Sequence, residues 1–492
     1  MKKYLLEITV FLCGAIVMVY EIVGSRVVAP HFGTSIYVWT SLIGVIMASL
    51  SLGYWLGGRW ADKKPSFKRL ALIIFGAAIC IIFANTFKDA LLQTLSRNFS
   101  SMMLRPLLAS IILFAPASLF LGMVSPYAIR LKLTKIETSG KIVGNLYAIS
   151  TLGSIIGTFL AGFLLIPLFG STNILYMISG ILIINALVLS IRFLSKWDVF
   201  FFSVVILFEA WSAYAYNTRS IAFIDTDTQY NHVQIFDTEY WISGEPIKVM
   251  KVNDEYSSAM FPGNDSLVYE YLQFYQLSEH FMPSFEKALI IGGAGYSYPR
   301  FYLQKYDHAT IDVVEIDPAL TDLAKEHFRL EEDSRMRIFH EDGRTYLNNC
   351  KEKYDIIFGD AYKSLMAIPF QLATLEAIQK KYDLLNEDGI VIENLISSLE
   401  GPASEFMKAE VQTFLEVFPR VYLFACHDPG DPELLQSICL LACKSKDVLP
   451  FVSDDPLIQG FLSHRVDLHI PAGTRVFTDD YAPIEYITMK AM

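Results

Sequence analysis

The sequence predicts an N-terminal α-helical membrane bundle and a C-terminal α/β domain of the Rossmann-like type, joined through a small β-subdomain. Three observations carry this reading. The chain of 492 residues is 53% hydrophobic and only 18% charged, with mean hydropathy +0.37, too apolar for an ordinary soluble protein of that length. Its charge is also divided: residues 1–216 hold 17 Lys and Arg against 7 Asp and Glu, whereas the remaining 276 hold 23 against 44. Finally, the apolar pattern changes from runs of span length to short strands alternating with helical segments. The expected domains are 1–216, 217–284 and 285–492.

In the first domain, seven runs near 5–28, 36–58, 70–87, 104–128, 142–168, 172–191 and 197–216 are long enough to cross a bilayer. The first is too long, and too closely followed by others, for a cleaved signal peptide. Lys and Arg collect around residues 2–3, 59–69, 130–141 and 192–196, which the positive-inside rule puts in the cytoplasm, and the uncharged turn near Gly170 falls outside. Glu21, Arg26 and Glu209 are ionisable residues inside spans, so each needs a partner on another helix or a polar path. Gly53 to Gly58 with Arg59 and Asp62 resembles the short cytoplasmic loop of major-facilitator transporters, but small residues there, like Gly153, Gly157 and Gly162, also serve close helix packing.

From Asn217 short β-like runs, 221–224, 232–236 and 247–252, form the β-subdomain. After Pro283 the strands 288–291, 310–314, 337–339, 355–358 and 390–392 alternate with helices, and two more follow at 421–425 and 437–442. The first strand enters a glycine turn, Gly292-Gly293-Ala294-Gly295, where backbone approaches a ligand closely. The second ends in Glu315, about 20 residues on, placed for ribose hydroxyls. Asp342-Gly343 follows the third strand, suited to an adenine amino group, and Asp360 the fourth. Ligands of such sheets lie at the carboxyl ends of the strands, so these groups converge on one crevice. Asp312 and Asp355 are expected to be solvated or turn-forming.

The ordered set Leu289 to Gly293, Val314-Glu315-Ile316-Asp317, Asp342-Gly343, Tyr354 to Ile357 and Asp360 resembles spermidine synthase, the aminopropyltransferase family, over roughly residues 220–450. Asp265 with Tyr269-Glu270 is similar to that family's segment ahead of the first core strand. The seven spans, with Thr478-Asp479-Asp480-Tyr481-Ala482-Pro483-Ile484-Glu485 near the end, are similar to its membrane-bound branch. The resemblance implies a class I methyltransferase-type sheet and no tightly bound cofactor. Decarboxylated S-adenosylmethionine would be the co-substrate, bound by Gly292, Gly293, Gly295, Glu315, Asp342 and Gly343. A small-molecule amine would be the acceptor, Asp360 the base assisted by Tyr269, and Asp265 a substrate residue.

Two positions depart from the family. Gly295 replaces the Asp that pairs with the donor's amine, and Lys363 stands at the substrate position where a second Asp holds the diamine. An S-adenosylmethionine methyltransferase is therefore an alternative, as is a transporter or sensor whose soluble domain only binds a nucleoside or polyamine. Restoring acid at both positions is expected to raise activity on putrescine. The acidic soluble half argues against a nucleic-acid partner, and the six cysteines have no metal-ligand spacing. The expected partners are the amine, the lipid bilayer and a second copy in a homodimer. The cell membrane is the expected location. Seven crossings put the soluble half outside the cytoplasm, but a sulfonium donor made in the cytoplasm favours the inner side, with 197–216 re-entering or lying in the interface.

Overall fold

The computed structural model describes residues 4–489 apart from 34, 64, 100, 102, 134, 219–222, 254, 362–368, 448–449 and 468. It divides into two compact units, the first comprising Met1–Ile221 with Thr226–His232 and the second Ala222–Asp225 with Val233–Met492.

The first unit is built from α1 (Leu5–Phe32), α2 (Ile36–Lys63), α3 (Phe67–Asn98), α4 (Leu104–Leu113), α5 (Ala115–Lys132), α6 (Ser139–Leu160), α7 (Ile166–Ser190) and α8 (Lys196–Asn217). Five helices are long and apolar enough to cross a membrane, or six if α4 and α5, bent by 51°, form one span. One of the five runs through Ser139–Ser190, 52 residues, and breaks at Gly170 (φ +71°, ψ 160°), a conformation that glycine adopts without the Cβ penalty. Counting its two halves separately recovers the seven predicted runs.

Glycine governs the closest helix contacts. A Cβ at Gly53 or Gly57 would fall 2.3 and 2.6 Å from backbone atoms of Leu119 and Met123 on α5, and one at Gly153 or Gly157 would fall 2.2 and 2.3 Å from the carbonyl oxygens of Phe11 and Ala15 on α1. Gly162 has no such neighbour, which removes it from the packing set. Asp62 pairs with Arg130 at 3.1 Å, and Arg59 lies over the Trp55 ring at 4.2 Å. The motif of Gly53 to Asp62 is therefore occupied by packing and local ion pairing.

The ionisable residues inside spans find unequal company. Arg26 donates to the Gln229 carbonyl, and Glu209 accepts from Ser179. Glu21 has no hydrogen bond among the described residues. Lys88, which the sequence reading passed over, is buried in α3 and donates to Thr172.

α8 runs the length of this unit. Its Asp198 pairs with Lys68 at the start of α3 (2.6 Å), and Phe202 stacks on Phe75 one to two turns along (3.9 Å between centroids). Further on, Ser212 hydrogen-bonds Tyr176 (2.7 Å) near the start of α7. α8 packs along α3 and α7 over a length that matches a span, and it is itself one of the helices long and apolar enough to cross a membrane. Asn217 thus lies at the end opposite Lys196.

In the second unit β1 (Phe223–Asp227), β2 (His232–Glu239), β3 (Pro246–Val252) and β4 (Glu255–Met260) form a sheet in the order β1-β2-β3-β4. Three short helices, α9 (Glu270–Phe274), α10 (Ser278–Phe281) and α11 (Ser297–Lys305), flank β5 (Lys287–Ile291). Then follow β6 (Thr310–Val314), α12 (Pro318–His327), β7 (Met336–Phe339), α13 (Gly343–Asn349), β8 (Tyr354–Gly359), α14 (Leu375–Leu384), β9 (Leu385–Ser397), α15 (Ser404–Leu415), β10 (Arg420–Ala425), β11 (Gln436–Cys443), α16 (Pro456–Ser463), β12 (Arg465–Val466) and α17 (Ile484–Met489).

The strand order is β12-β10-β11-β9-β8-β5-β6-β7, with β7 to β9 paired parallel and β9 to β12 antiparallel. The sheet alternates with period two. Ala288, Ile290, Ile311, Val313, Ile356 and Phe358 point into one core, whereas Leu289, Ile291, Val314 and Ile357 point into the other. Both faces are covered, so the strands read as continuous apolar runs in the sequence. The chain order reverses between β5 and β8, which opens a crevice at their carboxyl ends.

Candidate active site

The crevice starts at the turn after β5. Gly292 has φ +105°, and a Cβ there would fall 2.4 Å from the Asp360 carbonyl oxygen, so only glycine lets the two strand ends cross this closely. The Asp360 amide donates to the Ile291 carbonyl (2.9 Å), which extends the β5–β8 pairing by one bond and fixes the backbone that carries the carboxylate.

Glu315 holds the turn. Its Oε2 accepts the amides of Gly293 (2.9 Å) and Ala294 (3.0 Å), and Oε1 accepts that of Asp317 (2.9 Å). A carboxylate has about four acceptor sites, so these three bonds leave one for a ribose hydroxyl. Burial pushes the Glu315 carboxyl up, and the three amides pull against it. The residue predicted to bind the nucleoside therefore also builds the loop on which the nucleoside would lie.

Asp342 caps α13 by accepting the Thr345 amide at 3.0 Å through Oδ1. Gly343 is small for a packing reason, since a Cβ would lie 2.7 Å from the Ile291 side chain. Gly295 is confined from the other side: a Cβ would fall 2.7 Å from Ser258 Cβ and 3.1 Å from Phe328, and the Gly295 amide donates to Ser258 Oγ at 2.9 Å. An acid at 295 would push into β4, which overturns the expected gain from restoring it. Gly295→Asp should instead lower the melting temperature and leave putrescine turnover no higher than wild type, as thermal unfolding and amine assays would show; a tenfold gain on putrescine would contradict this packing.

Asp360 is the most perturbed carboxyl of the crevice. Burial pushes it up to about 7, and hydrogen bonds from Tyr271 (3.1 Å) and Asn394 (3.5 Å), with the nearby Tyr275 hydroxyl, draw it down, while the Glu393 charge adds to the upward push. A base with this pKa is divided between its two forms near neutrality, as general-base work at pH 7 requires. Tyr269, expected at this carboxylate, stands one ring away: it stacks on Tyr271 (6.2 Å, 16°), and its hydroxyl is buried without a hydrogen-bond partner among the described residues. The hydroxyl expected to assist the base therefore makes no hydrogen bond to Asp360 among the described residues.

Tyr271, Tyr275 and Asn394 were missed in the sequence. Asn394 had a signal, because Glu393-Asn394 ends the apolar run 390–392 of a strand next to β8. Tyr271 had none beyond its place two residues after Tyr269. If Tyr271 stabilises the ionised base, Tyr271→Phe should move the rising limb of kcat/KM to higher pH by roughly one unit, the worth of one hydrogen bond to a charge. An unshifted pH profile would remove Tyr271 from this role.

Beneath the site is a second charge system. Lys381 and Glu393, 2% and 4% exposed, form a buried ion pair, and Lys381 also donates to the Leu372 carbonyl at 3.1 Å. The Glu393 carboxylate lies so close to Gly359 that a Cβ there would meet Oε2 at 2.2 Å. Glu410, 1% exposed, has one oxygen without a partner among the described residues, and burial holds its carboxyl well above the usual range.

Three other expectations come out differently. Asp265, expected to bind substrate, is held by the guanidinium groups of Arg300 and Arg329 (2.9 Å to the latter) and braces the segment before α9. Asp312 is not solvated but buried, with two bonds from Arg337 (2.6 and 2.7 Å) and one from Tyr354 (2.7 Å). Lys363 lies outside the described residues. Asp355 forms no turn: it lies in β8 and accepts the amides of Glu286 and Lys287, 69 and 68 residues away, at 2.8 and 3.0 Å, which ties the start of β5 to β8. In the C-terminal motif Asp479 ties α13 to the start of α14 through Arg344 and Thr374 (2.6 and 2.7 Å).

Residues 272–448 match the spermine/spermidine synthase domain. The polyamine aminopropyltransferase of Vibrio vulnificus (strain CMCP6) is 29% identical over 166 residues, 33% of this chain and 54% of that enzyme. The chain thus spans about half the length of that relative. Polyamine aminopropyltransferase 2 of Aquifex aeolicus (strain VF5) is 23% identical over 408 residues, 79% of this chain and 78% of the relative. Among solved structures, a probable spermidine synthase from Corynebacterium glutamicum ATCC 13032 aligns with TM-score 0.43 and 18% identity, covering 51% of this chain and 95% of that one.

Proposed function

We propose, from the premise that residues 272–448 form a spermine/spermidine synthase domain, that the protein is a membrane-bound aminopropyltransferase. It moves the aminopropyl group of decarboxylated S-adenosylmethionine to an amine, putrescine or a relative. The amine nitrogen attacks the propyl carbon attached to the sulfonium, the carbon–sulfur bond breaks, and methylthioadenosine leaves with the electron pair. A sulfonium is already a good leaving group, so the protein must mainly align the reactants and take a proton from an ammonium whose pKa is near that of lysine, about 10.4. The observation that carries this reading is Asp360: a carboxyl pushed up to about 7 at the mouth of β8, bonded by the Tyr271 hydroxyl and against the glycine turn. Glu315 and the amides it orders support nucleoside binding, with Asp342 and Gly343 at the adenine end.

Incubating the detergent-purified full chain with decarboxylated donor and a panel of amines, then identifying the aminopropylated product by mass, tests the acceptor. Loss of every product in Asp360→Asn assigns the activity to this site, whereas an undiminished product in that variant refutes it.

The crowding at Gly295 favours a second reading. A donor whose amine is not met by an acid at this turn could keep its own carboxylate, which makes an S-adenosylmethionine methyltransferase the alternative.

The helical unit supports a membrane location, with seven crossings and an uneven charge. Of its Lys and Arg among the described residues, only Arg26, Lys88, Arg97 and Arg105 lie toward the end that holds Gly170 and Asn217. The positive-inside rule puts the other, basic end in the cytoplasm. Because α8 completes the last crossing, the chain enters its soluble part on the non-cytoplasmic side, and the donor must be supplied there. Protease added to intact cells should release a soluble fragment of about 30 kDa, the 276 residues after 216 at the chain's mean residue mass. A domain cut only after the cells are opened would place it inside.

A further inference from the structure

A cavity of about 390 Å³ opens between the C-terminal end of α2, the first turns of α3 and the side of α5. Trp60 and Lys63 of α2, Arg69 and Leu72 of α3, and Phe120 and Tyr127 of α5 line it. These residues divide by chemistry and by depth. The two cations belong to the basic end of the bundle. Leu72 and Phe120 continue the wall toward its middle, where a Cβ added at Gly76 would fall 3.2 Å from the Phe120 ring, so glycine lets α3 lie against α5 there.

Trp60 and Leu72 are 52% and 46% exposed, on a surface that faces hydrocarbon and interface if the bundle spans a membrane. Tyr127 is buried, and its hydroxyl accepts the Ser66 amide at 3.3 Å where α3 begins. The neighbouring cations are neutralised within the protein, Lys68 by Asp198, Arg130 by Asp62 and Lys132 by Glu7. Lys63 has no ion pair among the described residues.

We propose that this cavity is a binding site for an anionic glycerophospholipid of the inner leaflet. Its phosphate would sit on Lys63, with Trp60 at the headgroup level and the start of one acyl chain along Leu72 and Phe120. Charge complementarity selects the occupant: basic pockets between spans on the cytoplasmic side attract acidic headgroups, and tryptophan favours the interface. The apolar wall distinguishes a lipid from free phosphate, which has no use for it. This inference rests on the membrane reading of the helical unit.

The test uses the full chain, extracted in detergent and exchanged into nanodiscs of phosphatidylcholine with or without phosphatidylglycerol. Resistance of the cellular protein to alkaline extraction is checked first; release into the aqueous fraction would refute the membrane reading and the site with it. In extraction-resistant protein, native mass spectrometry should show retained phosphatidylglycerol in preference to phosphatidylcholine, reduced at least fivefold in Lys63→Ala. Inorganic phosphate should not displace it. Lys63→Arg, which keeps the charge, should restore retention and so separate lost binding from a folding defect. Equal retention of the neutral lipid, displacement by phosphate alone, or full retention in Lys63→Ala would each overturn the proposal.

Discussion

Asp360→Asn should lower turnover by about 100-fold to 10,000-fold, the usual worth of a positioned general base, while donor binding changes little. The same substitution has an effect on stability with a definite sign. The folded protein holds the Asp360 carboxyl up at about 7, above its ordinary value of 3.8. The folded state therefore binds this proton more tightly than the unfolded state. Its contribution to stability is fully present below about pH 4 and is lost as pH rises through 7. Asparagine cannot ionise, so the variant should match wild type near pH 4 and be more stable at pH 8, by roughly 2–4 kcal/mol once partial exposure is allowed for. Thermal unfolding at the two pH values reads this directly. Equal stability at pH 8 would mean that the carboxyl is not held up, and the assignment of Asp360 as a base would lose its electrostatic ground.

Lys381→Met should be the most destabilising single change in the soluble part. It leaves the Glu393 carboxylate buried beside Gly359 with no cation, and breaking such a pair by removing one partner costs about 3–5 kcal/mol. For a unit of this size that is a fall in melting temperature on the order of 10 °C. Adding Glu393→Gln to Lys381→Met removes the stranded charge and should recover much of the loss, a coupling that a double-mutant cycle measures. A Lys381→Met protein as stable as wild type would show that the pair is not held together as the structure has it. The system does not open directly on the crevice, but Glu393 is close enough to push the Asp360 carboxyl up. The double variant should accordingly shift the pH dependence of turnover downward as well.

The parts of the fold legible in the sequence are those in which one physical rule dominates. Strands β5, β6, β8 and β9 are buried on both faces, so their apolar runs stand out, and the residues that end them, Gly292, Glu315 and Asp360, are found by position alone. β4 and the two-residue β12 escaped, because Glu255-Tyr256-Ser257-Ser258-Ala259-Met260 has neither alternation nor an apolar run. Side-chain roles were harder to read where tertiary partners decide them. Asp265 resembles a substrate ligand until Arg300 and Arg329, 35 and 64 residues away, are seen to hold it. Gly295 resembles a missing acid until Ser258 is found against it. Lys381 and Glu393 read as an ordinary surface lysine and a strand-end acid, since nothing local reveals that both are buried. In the bundle, the glycine spacing correctly signalled close packing at Gly153 and Gly157, but spacing alone could not separate them from Gly162, which faces open space.

The measurement that bears most directly on aminopropyl transfer is the identity of the nucleoside released. The full-length protein, in detergent or nanodiscs, would be supplied in parallel with decarboxylated S-adenosylmethionine and with S-adenosylmethionine, each with the same amine panel, and the nucleoside identified by mass. Aminopropyl transfer predicts methylthioadenosine from the decarboxylated donor, in equal amount with an aminopropylated amine and absent from Asp360→Asn. Adenosylhomocysteine from the intact donor, with no methylthioadenosine from the other, would contradict it and make the protein a methyltransferase on the same sheet.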